Sequence, residues 1–363
     1  MQTDSFKSER LHGIDALRVI LSFCVITLHI LYYGGFWEQA DPSDPTSYFL
    51  WFVGIAIDGT VNCFAIITGF VLYNKPMKYS GVLYRFLTVL YHGLLITALF
   101  WIFCPEIVDK SNWIQALFPV AYEEFWYFTA YLGAFFFAPL VSKGMQALSR
   151  KQANVLVLAL ILVFSIIPTV TGKDPFHLKY GYSAFWLLIL FTIGAYLRKY
   201  HMEFRFRPRF YAYLFAGCIL VTCLGVVLSM VYPSFNGMRL IEYTSPTIVL
   251  AAIAVVLLFS FAYVSPGLQK ICAFCTSFTF SIYLLHEQPL VRQNLINDRF
   301  VPVLSLPGLL QLAIILASTV VIWGVCFCHD LIRQLVFRVL KIDSLLHKVD
   351  KRLQPLSEDS KNT

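Results

Sequence analysis

Asp15, Arg18 and His29 stand in the run GIDALRVILSFCVITLHI, residues 13–30, which is otherwise apolar and long enough to enter a bilayer. Ionisable groups at that depth are costly and mark functional sites by default. Arg18 and His29 are eleven positions apart, so on a helix they point in nearly the same direction, about 16 Å apart along the axis. One face then carries a guanidinium near one membrane surface, suited to an anion, and an imidazole deep inside, suited to moving a proton or attacking a carbonyl. Asp15 precedes Arg18 by one helical turn and is expected to hold its guanidinium in place. A plainer reading competes with this one: an arginine snorkelling to the headgroups and a histidine that only bonds a neighbouring helix.

Other polar residues fall at comparable depth. In DGTVNCFAIITGFVLY, Asp58 sits at the outer part of a second apolar run, with Asn62, Thr68 and Gly69 further in, where small and hydrogen-bonding residues let another helix approach. A third run opens LYRFLTVLYH, placing Arg85 at the inner surface and His92 on roughly the same face. Arg85 and Arg18 together could cradle a phosphate, which guanidinium groups grip in a bidentate way. At the outer start of a fourth run, YEEFWYFTAYL puts Glu123 and Glu124 before Trp126. An aromatic belt explains the rings, and adjacent acids beside a Trp also suit a carbohydrate. Near the end, SFTFSIYLLHEQPL buries Tyr283, His286 and Glu287 shortly before Pro289.

The elements that must position these residues are long apolar helices. Of the 363 residues 58% are hydrophobic and 13% charged, far more apolar than a soluble domain. The runs are continuous, which excludes the alternating strands of a β-barrel. An all-α polytopic membrane protein with about ten spans is expected, since each span needs about 20 apolar residues. Those runs are 14–33, 48–73, 82–104, 118–141, 153–171, 182–199, 210–231, 245–264, 274–292 and 306–336. Connections such as EQADPSDPTS and TGKDPFHLKYG separate them. The first run follows Lys7 and Arg10 without a small-residue cleavage site, so it reads as a retained span that also targets the protein. The chain divides into a cytoplasmic segment 1–13, a membrane domain 14–336 and a short charged tail 337–363, the tail lying on the surface or without fixed structure.

Orientation follows from the basic residues. With the N-terminus cytoplasmic, twenty-two of the 28 Lys and Arg fall inside, including the seven from Arg333 onward. This is the positive-inside pattern, and it places both termini in the cytoplasm. The net charge of +7 is thereby explained without nucleic acid. Most of the nine cysteines lie in apolar runs, where they act as small hydrophobes. Cys272 and Cys275 have metal-ligand spacing but no second pair or histidine cluster beside them, so no metal is expected.

Taken together, these motifs resemble the acyltransferase 3 family of membrane acyltransferases. The resemblance lies in GIDALRVI with its Arg18/His29 pair, FAIITGFVLY, Arg85 opening the third run, FWYF and SIYLLH, in that order along most of the chain. It implies an enzyme that takes an acyl group, commonly acetyl, from acetyl-CoA or another cytoplasmic acyl-CoA. The acceptor would be a hydroxyl of a cell-surface glycan or its lipid-linked precursor, at the plasma membrane of a bacterium, with no bound cofactor. Carried over, His29 is the catalytic histidine and Arg18 its partner; Asp15, Arg85, Tyr283 and His286 are candidates, from their own placement, to bind the donor or support the pair. Glu123, Glu124 and Trp126 would stand on the acceptor side. The chain departs from the family pattern at the start of the third run, where Tyr84, Thr88 and Tyr91 replace a second arginine and a proline.

Whether His29 serves as general base or carries the acyl group itself is open at this level. A transporter or flippase of a lipid-linked sugar is the alternative from another class, although no repeated pair of broken helices supports it. A scaffold would leave Arg18, His29 and His286 without a reason to be buried.

Overall fold

The computed structural model describes residues 10–39, 45–75, 78–232 and 234–353, and among these it contains helices and no strand. Lys7, the far end of the tail and much of the EQADPSDPTS connection lie outside the described residues. The chain runs α1 (His12–Tyr33), α2 (Pro45–Asp58), α3 (Thr60–Leu72) and α4 (Tyr79–Phe103). It continues through α5 (Trp126–Phe135), α6 (Ala138–Ala147), α7 (Arg150–Thr171), α8 (Ala184–Lys199) and α9 (Pro208–Val231). The last elements are α10 (Pro246–Ser260), α11 (Pro266–Cys275), α12 (Thr279–Glu287), α13 (Gly308–Val339) and α14 (Ile342–Leu353).

Among the described residues seven stretches are long and apolar enough to cross a membrane, or eight if α11 and α12, bent by 42°, form one span. The chain is thus a polytopic membrane protein. The two other expected runs, 118–141 and 182–199, take shorter helical forms. The first breaks between α5 and α6, where Pro139 lies in the first turn of α6. Proline has no N–H to continue the ladder and its ring would meet the carbonyl four residues back. The second is α8, whose 16 residues extend only about 24 Å. Trp186, Leu187, Ile189, Leu190, Phe191 and Ile193 are all buried, as befits a helix that is apolar all round.

Against α3, α8 makes the most extensive helix contact in the molecule. A Cβ on Gly194 would stand 2.1 Å from the Ile66 carbonyl oxygen, and one on Gly69 2.1 Å from that of Phe191. The two backbones therefore touch because neither glycine has a side chain, the close approach that small residues permit between membrane helices. Gly194→Val is expected to cost about 1–3 kcal/mol through overpacking. A lowered thermal unfolding midpoint in detergent checks this, and an unchanged midpoint would mean the contact is loose.

At the centre lies α1, which packs on α2, α3, α10, α11, α12 and α13. Trp323 donates to Ser22 Oγ at 3.0 Å and Thr27 meets Thr319 at 3.0 Å, tying α1 to α13. Of the two forms expected for the tail, its described part takes the surface-lying one. α13 continues past Val336 to Val339, and α14 packs on α4, so residues 342–353 form a fixed helix. Asp350 of α14 accepts from the Ser80 amide at 2.9 Å and from its hydroxyl, satisfying the exposed first turn of α4. Those hydrogen bonds hold the Asp350 carboxyl below the usual carboxylate range.

Candidate active site

A cavity of about 760 Å³ runs along α1. Its wall includes Arg18, Ser22, Val25, His29, Tyr32 and Tyr33, a single stripe at helical spacing covering about 22 Å of the helix. One end is lined by Arg10, Arg18, Arg85 and Arg333, the other by Tyr32, Trp126, Tyr182 and Tyr243. His29 lies between them with His286 and Tyr283.

At the arginine end the charges are unevenly compensated. Asp15 Oδ2 takes Arg10 Nε at 2.6 Å, so its contact ion pair is with Arg10, while its charge reaches Arg18 across the helix turn without contact. Residue 10 precedes the helix and its side chain reaches forward to the first turn, a contact that helical spacing does not describe. Arg333 is 2% exposed and doubly bonded to Asp330, by Nε to Oδ1 at 2.6 Å and by Nη2 to Oδ2 at 3.1 Å. Its Nη1 donates to Tyr84 at 2.7 Å. Among the described residues, Arg18 and Arg85 have no carboxylate partner; Arg85 donates to the Gly81 carbonyl at 2.8 Å and lies over the Tyr131 ring. Lys75, in the connection after α3, has its ammonium pushed below the usual lysine range by burial and by the charges of Arg18, Arg198 and Arg10. Cations crowded against low-dielectric walls focus a positive potential. This end is therefore built for an anion.

His92 was expected to share a face with Arg85. Both stand seven residues apart on the unbroken α4, and His92 is bonded to α13, where its Nε2 meets Asp330 Oδ1 at 3.2 Å with both side chains buried. Arg333 had been counted with the topogenic tail, yet Asp330, Arg333, His92 and Tyr84 form one buried network that joins α13 to α4. The signal for it was an acid and a base one turn apart in an apolar helix.

Midway, His29 Nδ1 lies 2.9 Å from His286 Nε2 and 3.1 Å from Glu287 Oε1. His286 Nδ1 meets the Ile282 carbonyl at 2.5 Å. α12 ends here because Pro289 forces Gln288 into an extended conformation, which leaves His286 and Glu287 in its last turn. Tyr283 lines the cavity with its hydroxyl unpartnered among the described residues. A neutral imidazole with one nitrogen tied and the other facing open space can take a proton from a hydroxyl.

At the far end Trp126 packs tilted against Tyr182, ring centroids 4.4 Å apart, and Tyr182 tilted against Tyr243 at 5.0 Å. Tyr32 donates to buried Asp58 at 3.4 Å. Of the three residues assigned to this side, Trp126 lines the cavity while Glu123 and Glu124 do not. Glu123 has a left-handed backbone, φ 49°, and its exposed carboxyl lies 3.9 Å from Lys179. Glu124 is half-buried in the turn before α5, where burial pushes its carboxyl up to about 7 against the opposing pull of Gln288. The turn sends Glu123 outward and Glu124 inward toward Gln288, a divergence that sequence adjacency could not give. No cluster of three metal-ligating side chains occurs among the described residues.

The family model described as an acyltransferase domain matches residues 11–328. No curated protein and no solved structure matches. The matched stretch contains nearly all the spans and every residue of the cavity wall except Arg10 and Arg333, so the chain belongs to the acyltransferase 3 family and is a membrane acyltransferase.

Proposed function

We propose that this enzyme moves an acyl group, acetyl in the simplest case, from acyl-CoA at the cytoplasmic face to a hydroxyl of a cell-surface glycan or its lipid-linked precursor. The observation that carries the reading is the single cavity on which both Arg18 and His29 open. Arg18 and Arg85, free of carboxylates among the described residues, would bind the phosphates of the donor. An extended pantetheine arm covers a distance of the order of the roughly 16 Å from Arg18 to His29 along the helix. His29 then takes the proton of the acceptor hydroxyl, the oxygen attacks the thioester carbonyl, and the proton passes to the departing thiolate. The sugar ring would lie on Trp126 and Tyr182, which offer the flat apolar faces that pyranose rings pack against.

This reading fits the plasma membrane of a bacterium, with the arginine end inward as the basic residues suggest. The transporter alternative is set aside because the family is one of acyltransferases.

Purified protein in vesicles, given radiolabelled acetyl-CoA, tests the reading. Wild type should bind the donor and transfer or hydrolyse its label. Arg18→Ala should raise KM for acetyl-CoA by about tenfold to 10²-fold, as expected for losing one charge-assisted contact of about 1.5–3 kcal/mol. A wild type that neither binds nor turns over acetyl-CoA would overturn the donor assignment.

A further inference from the structure

The histidine in the cavity is not held by its neighbours alone. A backbone carbonyl only accepts, so the Ile282 carbonyl at 2.5 Å fixes the His286 proton on Nδ1. His286 Nε2 is then a bare lone pair, and the His29 Nδ1 atom 2.9 Å away must donate to it. His29 consequently carries its proton on Nδ1 and turns the Nε2 lone pair to the cavity. Glu287 Oε1 lies 3.1 Å from the same Nδ1 atom. Glu287 is 2% exposed, and its Oε1 is buried with no hydrogen-bond partner among the described residues. Its other oxygen, Oε2, accepts from Arg292 Nη1 at 3.0 Å, and the Arg292 guanidinium rests over the Tyr33 ring at 4.9 Å.

We infer that Glu287 is a positioning residue for His29, a carboxylate clamped by Arg292 that favours the Nδ1–H tautomer and stabilises the imidazolium formed when Nε2 takes a proton. His286 is neutral in this arrangement and contributes orientation. Glu287 contributes charge, which matters most when His29 becomes positive in a site with little water. Arg292 keeps the carboxylate from being buried unpaired and fixes which oxygen faces the imidazole. No covalent step passes through Glu287. The inference rests on the reading of His29 as a base, and it concerns His29 alone, whatever the acceptor.

Glu287→Gln keeps the shape and removes the charge, while Glu287→Asp keeps the charge on a shorter arm. With acetyl-CoA and vesicles, kcat in Glu287→Gln should fall by about tenfold to 10³-fold, less than the full span of general acid–base catalysis, about 10²–10⁴-fold. KM for acetyl-CoA should stay unchanged, because Arg18 and Arg85 are at the other end of the cavity. Glu287→Asp should recover part of the loss. In a His29→Ala background, adding Glu287→Gln should lower the residual rate no further, since the carboxylate acts only through the imidazole. An additional loss there, or a wild-type kcat in Glu287→Gln, would overturn the inference in favour of a purely structural pair. A readout independent of turnover is carbethoxylation of His29 by diethyl pyrocarbonate, followed by mass spectrometry. It should be slower in Glu287→Gln, and an equal rate would count against the inference. If wild type turns over no acetyl-CoA, the donor assignment falls by itself and the labelling rate still decides the role of Glu287.

Discussion

His29→Ala is expected to lower acyl transfer by about 10²–10⁴-fold, the range general acid–base catalysis supplies, while acetyl-CoA binding is kept. The imidazole lies midway along the cavity, and the groups suited to the donor phosphates are at the arginine end, so the loss should appear in kcat. A residual rate should survive, because holding donor and acceptor in one cavity accelerates transfer without a base. The same experiment separates the two roles His29 could play. If it is a base, mixing enzyme with acetyl-CoA alone releases no burst of free CoA. A burst equal to the amount of enzyme, absent in His29→Ala, would instead reveal an acyl-histidine. Full activity in His29→Ala would remove the histidine from the chemistry altogether.

The second large effect is on stability. Asp330→Ala leaves the Arg333 guanidinium, 2% exposed, without the carboxylate that holds it at 2.6 and 3.1 Å. It also strips His92 of its partner on α13. Breaking a buried ion pair from one side costs about 3–5 kcal/mol, because a charge remains in a poor solvent. The detergent-solubilised protein should melt several degrees lower. Donor binding should weaken as well, since Arg333 and Tyr84 both line the arginine end. Replacing both partners with Asp330→Leu and Arg333→Met should do less damage than Asp330→Ala alone, since apolar groups of similar volume often substitute a buried pair at little cost. If Asp330→Ala melts with the wild type, the network does not hold α13 to α4.

The residues of the site divide by how far apart they are in the chain. Arg18 and His29 share one element, and the pitch of a helix puts residues eleven apart on one side whatever surrounds it. Their common opening on the cavity was therefore legible, as was the apolar length of most spans, set by hydropathy against bilayer thickness. The family was legible too, because its motifs occur in order along the chain. Where local geometry was the whole argument but the chain did not stay helical, it failed: Asp15 pairs backward with Arg10, and the turn before α5 throws Glu123 outward.

The rest depended on packing. Glu287 and His286 meet His29 across 258 and 257 residues of chain, and His92 meets Asp330 across 238. Such pairings require a particular rotation of each helix about its axis, and a turn of about 100° per residue lets any of several side chains face the partner. What selects among them is contact between surfaces, as where Gly69 and Gly194 bring α3 and α8 together at the backbone. The sequence by itself determined most of the spans, the stripe on α1 and the family. Only the tertiary structure decided which charges of the cavity are neutralised, by Asp15 and Asp330, and which two of its arginines have no carboxylate partner among the described residues, because burial makes an unpaired charge costly and packing alone supplies its partner.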